Sequence, residues 1–379
     1  MASLASRIDA AAGSALADKR IVGAVIVVMR DGAVAHHGSY GLADREAGIA
    51  MRPDALFRLA SITKPMVTTA AMRMIELGQL SLEGAVTDFL PDFKPRLADG
   101  TAPVITIRHL LTHTAGLAYD FLQPLDGPYT RLRVSAGADQ PDLTMEENLA
   151  RMTEAGLMFR PGEKWLYSVA TDVLGAVLQR AGGASLGELV ARHVTAPMGM
   201  EDTAFHVVDR ARLAQPYSNA APAPIRVAEG HKQEFIPGLA PISTSLERAF
   251  NTKGFQSGGG GMIGAALDIA RFLDAVRAGG GPMVSQATAA AMMSNQIGAL
   301  RILFDPTGTT AFGFGGAVAL DPAATGSPLS PGTWRWGGVW GHSWYVDPAR
   351  KMTIVNLTNT MLEGMNGRLP LDVQVAAAA

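Results

Sequence analysis

The chain predicts an α/β fold of the mixed α+β kind, an antiparallel sheet flanked by helices with a mostly helical second region. Three observations carry this. Two apolar runs, Ile21 to Met29 and Val34 to Tyr40, flank the turn signature Arg30-Asp31-Gly32 and read as a hairpin. Strand-like segments return only near the other end, at Trp334 to Trp336, Val339 to Val346 and Met352 to Leu357. Between them, helical patterns alternate with Pro- and Gly-bearing loops.

In order, Leu4, Ile8 and Leu16 take helical spacing in the first twenty residues, followed by the hairpin. A short strand around Phe57 to Leu59 leads into a helix that ends near Gly78. From Leu82 to about Ile236, helices are expected at Arg108 to Leu111, Met145 to Ala155, Ala170 to Arg180 and Leu186 to His193. Ser257 to Gly261 precedes a helix ending near Gly279, and Asp305 to Gly332 has the Pro, Gly and Thr content of a long surface loop. The last strands are separated by Gly337-Gly338 and by Asp347-Pro348, and their sheet pairs with the opening hairpin. The expected division is an α/β domain from residues 1–81 and 237–379 with a helical insertion over 82–236. No internal repeat is present.

Composition bounds the function. With 379 residues, 48% hydrophobic and 17% charged, the chain can bury a large core. A net charge of −2 and a pI near 6.5 give no electrostatic footprint for nucleic acid. The absence of cysteine excludes disulfides, a thiol nucleophile and thiolate metal sites. Arg7, Asp9, Asp18 and Lys19 interrupt the N-terminal segment, which therefore lacks a signal-peptide core and suggests a cytoplasmic protein. The longest apolar run, Ile21 to Met29, is too short to span a bilayer as a helix, so no membrane partner is expected.

The chemistry is concentrated at Ser61-Ile62-Thr63-Lys64. Residues three apart share a helix face, so the Ser61 hydroxyl and the Lys64 amine come within hydrogen-bond reach of each other. Pro65 is tolerated only in a first turn, which puts Ser61 at the helix start, where backbone N–H groups favour a developing oxyanion. Such a spacing arises by chance about 0.3 times in this composition. The apolar neighbours Leu59, Ala60, Ile62, Pro65, Met66 and Val67 make this lysine a desolvated one, the kind recruited as a base. A capping serine with a surface lysine is the alternative.

Two further segments offer partners. Pro161-Gly162 to Ser168 is a turn and an extended stretch that delivers Tyr167 just before a helix, and a phenol next to an ammonium can share its proton. The glycines of Trp336-Gly337-Gly338-Val339-Trp340-Gly341-His342-Ser343-Trp344 mark close approach of backbone or ligand. A packed tyrosine and a bulged aromatic strand are the respective alternatives.

These segments, with Leu110-Leu111-Thr112-His113-Thr114-Ala115-Gly116-Leu117, occur in the order seen in serine β-lactamase-like proteins. The chain most resembles family VIII carboxylesterases, which themselves resemble class C β-lactamases and DD-peptidases, and the likeness spans nearly its whole length. It implies a β-lactamase/transpeptidase-like fold. It also implies Ser61 as acylated nucleophile, Lys64 as activator, Tyr167 as base or proton relay, and the N–H groups of Ser61 and Val339 as the oxyanion hole. Trp336, Gly337, Gly338 and His342 would bound the substrate, and Tyr129 would line its mouth unless it is a loop-packing ring. No cofactor or metal is implied. Val169 replaces the asparagine of Tyr-x-Asn, and Trp336 replaces the lysine of Lys-Thr-Gly, which favours uncharged short-chain esters over β-lactams. β-Lactamase or D-amino acid peptidase activity, acyl transfer, and a non-catalytic acyl-binding sensor stay open on the same residues.

Other constellations are weaker. Arg133-Val134-Ser135-Ala136-Gly137 lacks the first glycine of a lipase elbow and reads as loop. His109 and His113 have zinc-ligand spacing, but Leu110 stands where a metalloprotease places its glutamate, so core or capping roles are expected. His36 and His37 adjoin in a strand and point to opposite faces. Gly258 to Gly261 lacks a phosphate-loop pattern and reads as a flexible loop.

Overall fold

The computed structural model describes residues 2–305 and 307–379; Met1 and Pro306, the latter within the expected 305–332 loop, lie outside the described residues. Eight antiparallel strands form the main sheet, in the order Thr310–Phe312, Ala317–Ala319, Trp334–Gly338, His342–Asp347, Met352–Thr358, Gly23–Arg30, Ala33–Asp44, Ile49–Ala50. The opening hairpin turns at Asp31 and Gly32, both with positive φ as a tight hairpin turn requires. Its first strand pairs with the last strand of the chain, Val25 opposite Leu357 and Val27 opposite Val355. This is the pairing that the apolar pattern at the two ends predicts.

Gly23–Arg30 is buried along almost its whole length because both faces of the sheet are covered. On one face Ala24, Ile26 and Val28 meet the helices Leu4–Ala17 and Leu369–Ala378 through Ile8, Ala12, Leu369 and Val373. On the other, Val25 and Val27 face the helix Ala266–Arg277 through Ile269 and Leu273. Each such side chain removed from water stabilises the fold by about 1.5–3 kcal/mol. The closing helix is not anticipated by the sequence reading, because Leu369 to Ala378 is apolar apart from Asp372 and Gln374 and shows no amphipathic helical period.

The serine helix, Thr63–Glu76, lies on the second face, packed against Ala170–Gly182 and Leu186–Val190. It is fed by Leu56–Arg58, a short strand paired with Ile263–Ala265. Within residues 82–236 the helices Ile107–Leu111, Met145–Ala155 and Ala170–Gly182 form close to where their patterns lie. Two small hairpin-like pairs join them, Tyr217–Ser218 with Ile225–Arg226 and Lys232–Gln233 with Ile242–Ser243. The latter pair spans the expected boundary at 236/237.

Three local readings are corrected. The 305–332 segment is not only loop: Thr310–Phe312 and Ala317–Ala319 are buried strands of the main sheet. Three-residue strands are too short to show alternation, and the glycines between them belong to their hairpin, where Gly313 N donates to Gly316 O at 2.8 Å. Next, Gly337 and Gly338 lie within a strand rather than between strands, and the turn is Val339 to Gly341, closed by Gly341 N to Gly338 O at 2.9 Å. Gly341, at φ 109°, is the glycine the turn needs. Finally, Gly258 and Gly259 are buried wall, not flexible loop. A Cβ would lie 2.4 Å from Thr171 O at Gly258 and 2.6 Å from Asp172 Oδ2 at Gly259, so these glycines serve close approach.

Candidate active site

Ser61 sits in a 3₁₀ turn, Ala60–Ile62, that runs directly into the serine helix, with Pro65 in the first turn of that helix as its missing N–H requires. Ala60, immediately before the nucleophile, has φ 46°, a left-handed conformation that a non-glycine residue holds only under constraint from its surroundings. The constraint is visible. Leu59 N donates to Met262 O, Met262 N takes Thr63 Oγ1 as acceptor, and the Gly338 backbone is pressed against the Leu59 carbonyl.

Two side chains converge on the hydroxyl. Lys64 Nζ lies 3.1 Å from Ser61 Oγ, and Tyr167 Oη is 2.6 Å from it. Lys64 is 1% exposed and also donates to Gly259 O at 2.6 Å and Tyr119 Oη at 3.1 Å. Its ammonium stands 4.8 Å from the centroid of the Tyr167 ring, a cation–π contact that ties amine and phenol together. Tyr167 Oη also accepts from Trp336 Nε1 at 3.2 Å, so the indole holds the phenol oxygen as well as bounding the cleft.

The surroundings are built to keep their own protons still. Burial, then the fields of Tyr167 and Asp172, push the Tyr119 phenol well above its ordinary value, so it stays neutral. Burial and the Lys64 charge push His113 well below the ordinary histidine value; its neutral ring packs 4.9 Å from Tyr167 and its Nδ1 meets Ser168 Oγ at 3.2 Å. Asp172 is fully buried, and burial raises its pKa. Its Oδ1 accepts from Ser257 Oγ at 2.5 Å and Gly259 N at 3.2 Å, which fixes the loop whose carbonyl receives Lys64.

A cleft of about 320 Å³ opens over Ser61. Phe121, Phe235, Ile302, Phe304 and Trp336 supply apolar walls, and Tyr119, Tyr167, Gly337 and Val339 also line it. Ser61 and Val339 both line this cleft, and neither backbone N–H donates to a backbone acceptor outside the regular elements among the described residues. Two free donors flanking a nucleophile are what a forming oxyanion needs.

Of the residues expected from sequence, Ser61, Lys64, Tyr167, Trp336, Gly337 and Val339 come together here. Gly338 acts one layer back, where its lack of a side chain admits the Leu59 carbonyl; a Cβ would approach that oxygen to 2.7 Å. Two expectations are corrected. Tyr129 does not line the mouth: it is fully buried and its Oη donates to Gly156 O at 3.0 Å. His342 is also fully buried, bonded through Nε2 to Arg58 O at 2.8 Å and edge-on to Phe57, away from the cleft. The strand turns at Val339 to Gly341, and that turn carries His342 behind the cleft wall. His109 caps its helix, with Nδ1 accepting from Thr106 N, as expected.

Tyr119, Asp172 and Gly259 were missed by sequence reasoning. Tyr119 lies two residues past the Leu110–Leu117 motif and Asp172 five residues past Tyr167, in the first turn of the helix Ala170–Gly182, so proximity to motifs was the available signal. Their partners are tens of residues distant, and no spacing rule reaches that far.

A family model described as Beta-lactamase matches residues 8–378. The chain belongs to the beta-lactamase family. Within that family it is 45% identical to Esterase EstB of Burkholderia gladioli over 379 residues, covering 100% of this chain and 96% of that one. Its fold matches the structure of EstCE1, described as a hydrolase with promiscuous acyltransferase activity, at TM-score 0.95 and 40% identity over 99% of this chain and 98% of that one. A D-amino acid amidase from Ochrobactrum anthropi, 21% identical over 99% of this chain and 98% of that one, shares the fold at TM-score 0.71. The likeness to family VIII carboxylesterases carried by the four motifs is borne out by the full-length match to an esterase.

Proposed function

We propose that the protein is a serine carboxylesterase that hydrolyses short-chain esters through an acyl-enzyme on Ser61. The observation that carries this is the convergence of Lys64 Nζ and Tyr167 Oη on Ser61 Oγ at 3.1 and 2.6 Å, under a cleft with apolar walls. When the Lys64–Tyr167 pair lacks one proton, Ser61 donates into the pair and its oxygen attacks the ester carbonyl. The tetrahedral oxyanion is received by the Ser61 and Val339 N–H groups. The pair then returns the proton to the departing alkoxide, and a water activated by the same pair cleaves the acyl-serine.

Esters suit the cleft better than β-lactams. Trp336 and Val169 stand where the related penicillin-hydrolysing enzymes present a cation and an amide, and Trp336 instead donates to Tyr167. Acyl transfer is the second reading, favoured by the full-length likeness to EstCE1 and by the aromatic walls, which compete with water at the acyl-enzyme. No helix of the described residues is long and apolar enough to cross a membrane, and a cytoplasmic location belongs to the same proposal.

Ser61→Ala should lower turnover of 4-nitrophenyl butyrate by about 10³-fold or more, as deletion of a covalent nucleophile does. Retained turnover would end the proposal. Adding a primary alcohol and measuring the ester-to-acid product ratio separates transfer from hydrolysis.

A further inference from the structure

One cation faces this cleft without an acid of its own. Arg335 belongs to the strand Trp334–Gly338, and strand alternation sends its side chain to the face opposite Trp334 and Trp336, next to its cross-strand neighbour Tyr345. The adjoining strand Ala317–Ala319 pairs only with Trp334 and Arg335, so the edge of the strand is uncovered from Trp336 onward. The catalytic cleft wraps around this edge. Arg335, Tyr345 and Met365 line it, and the same three residues line a second cavity of about 160 Å³ on the far side.

The guanidinium makes one hydrogen bond, Nη2 to Thr310 Oγ1 at 3.3 Å, and no ion pair among the described residues. The two carboxylates nearby are otherwise engaged. Asp305 accepts from Thr307, Gly308, Thr309 and the Thr310 hydroxyl, so it reaches Arg335 only through Thr310, and Asp321 accepts from Ala324 N at the start of an exposed turn. The second cavity is polar, lined by Thr309, Thr325, Ser327, Thr333 and Gln374. It contrasts with the aromatic walls around Ser61. The half-buried guanidinium carries five N–H donors in a fork that matches a carboxylate, and those not bonded to Thr310 are open to an incoming acceptor.

Building on the esterase reading, we propose that Arg335 receives a carboxylate that the substrate carries away from the scissile ester, with the Thr310 and Tyr345 hydroxyls beside it. The preferred substrates are then half-esters of dicarboxylic acids, or esters of hydroxy acids, with the ester carbonyl at Ser61 and the acid around the strand edge.

Two matched pairs test this and distinguish the halves of the substrate: 4-nitrophenyl hydrogen adipate against 4-nitrophenyl hexanoate, and 4-acetoxybutanoate against butyl acetate. The wild type should favour the acid in at least one pair by about tenfold in kcat/KM, the usual worth of a hydrogen bond to a charged group. Arg335→Leu should abolish that preference and Arg335→Lys restore part of it, with thermal unfolding confirming that both variants fold. No acid preference in either pair, or a preference unchanged in Arg335→Leu, overturns the proposal. Turnover of the neutral esters reports on the esterase reading separately, so a flat preference with intact neutral-ester turnover removes the carboxylate site alone.

Discussion

At the scale of single residues, the site divides into groups that move protons and groups that hold them in place. Tyr167→Phe removes the phenol 2.6 Å from Ser61, and kcat should fall by about 10²–10⁴-fold, the usual worth of a positioned acid–base. Tyr119→Phe removes one bond to a buried cation and leaves the nucleophile's own contacts intact, so a loss nearer tenfold is expected from the same steady-state assay. A ratio of the two losses near one would refute this division of roles. His342 makes a different prediction. Burial lowers its pKa from 6.5 to about 4, so below pH 6.5 the unfolded chain binds a proton that the folded one refuses. Its contribution to stability is therefore present above pH 6.5 and is lost as pH falls toward 4, by roughly 3 kcal/mol in full. Buried His113 adds in the same direction. Urea unfolding at pH 7.5 and pH 4.5 should show a smaller difference for His342→Gln, which keeps a donor for Arg58 O, than for the wild type.

At the scale of elements, legibility follows length and locality. The hairpin, the serine helix and the last strands could be read because their patterns run for five residues or more and their turn signals are local. Ser61 and Lys64 could be paired because a helix fixes their separation, whereas Tyr119, Asp172 and Gly259 meet Lys64 only through tertiary packing. Glycines were the hardest to interpret, since the same residue type marks a turn at Gly341 and a close approach at Gly338 and Gly259. Gly338→Ala tests the second kind. Its Cβ would lie 2.7 Å from the Leu59 carbonyl and cannot be accommodated unless the strand and the serine turn separate. The expected result is at least a tenfold loss of kcat with the thermal transition still cooperative. Wild-type kcat would show that this spacing does not matter.

Across the whole molecule, the sheet is the frame against which the serine helix is held, and both its faces carry cores. Ile26 lies on the face away from the site, fully buried between the first and last helices. Ile26→Ala should cost about 2–5 kcal/mol of unfolding free energy, read from the urea midpoint, with the KM of the folded fraction little changed. A large KM shift would mean that the two faces are mechanically coupled.

The burial of Lys64 has a practical side. The chain has seven lysines, and the other six are all exposed. Reagents that seek amines will find those six first, so coupling to a solid support or to a dye through surface amines leaves the working amine, shut beneath the cleft floor, untouched.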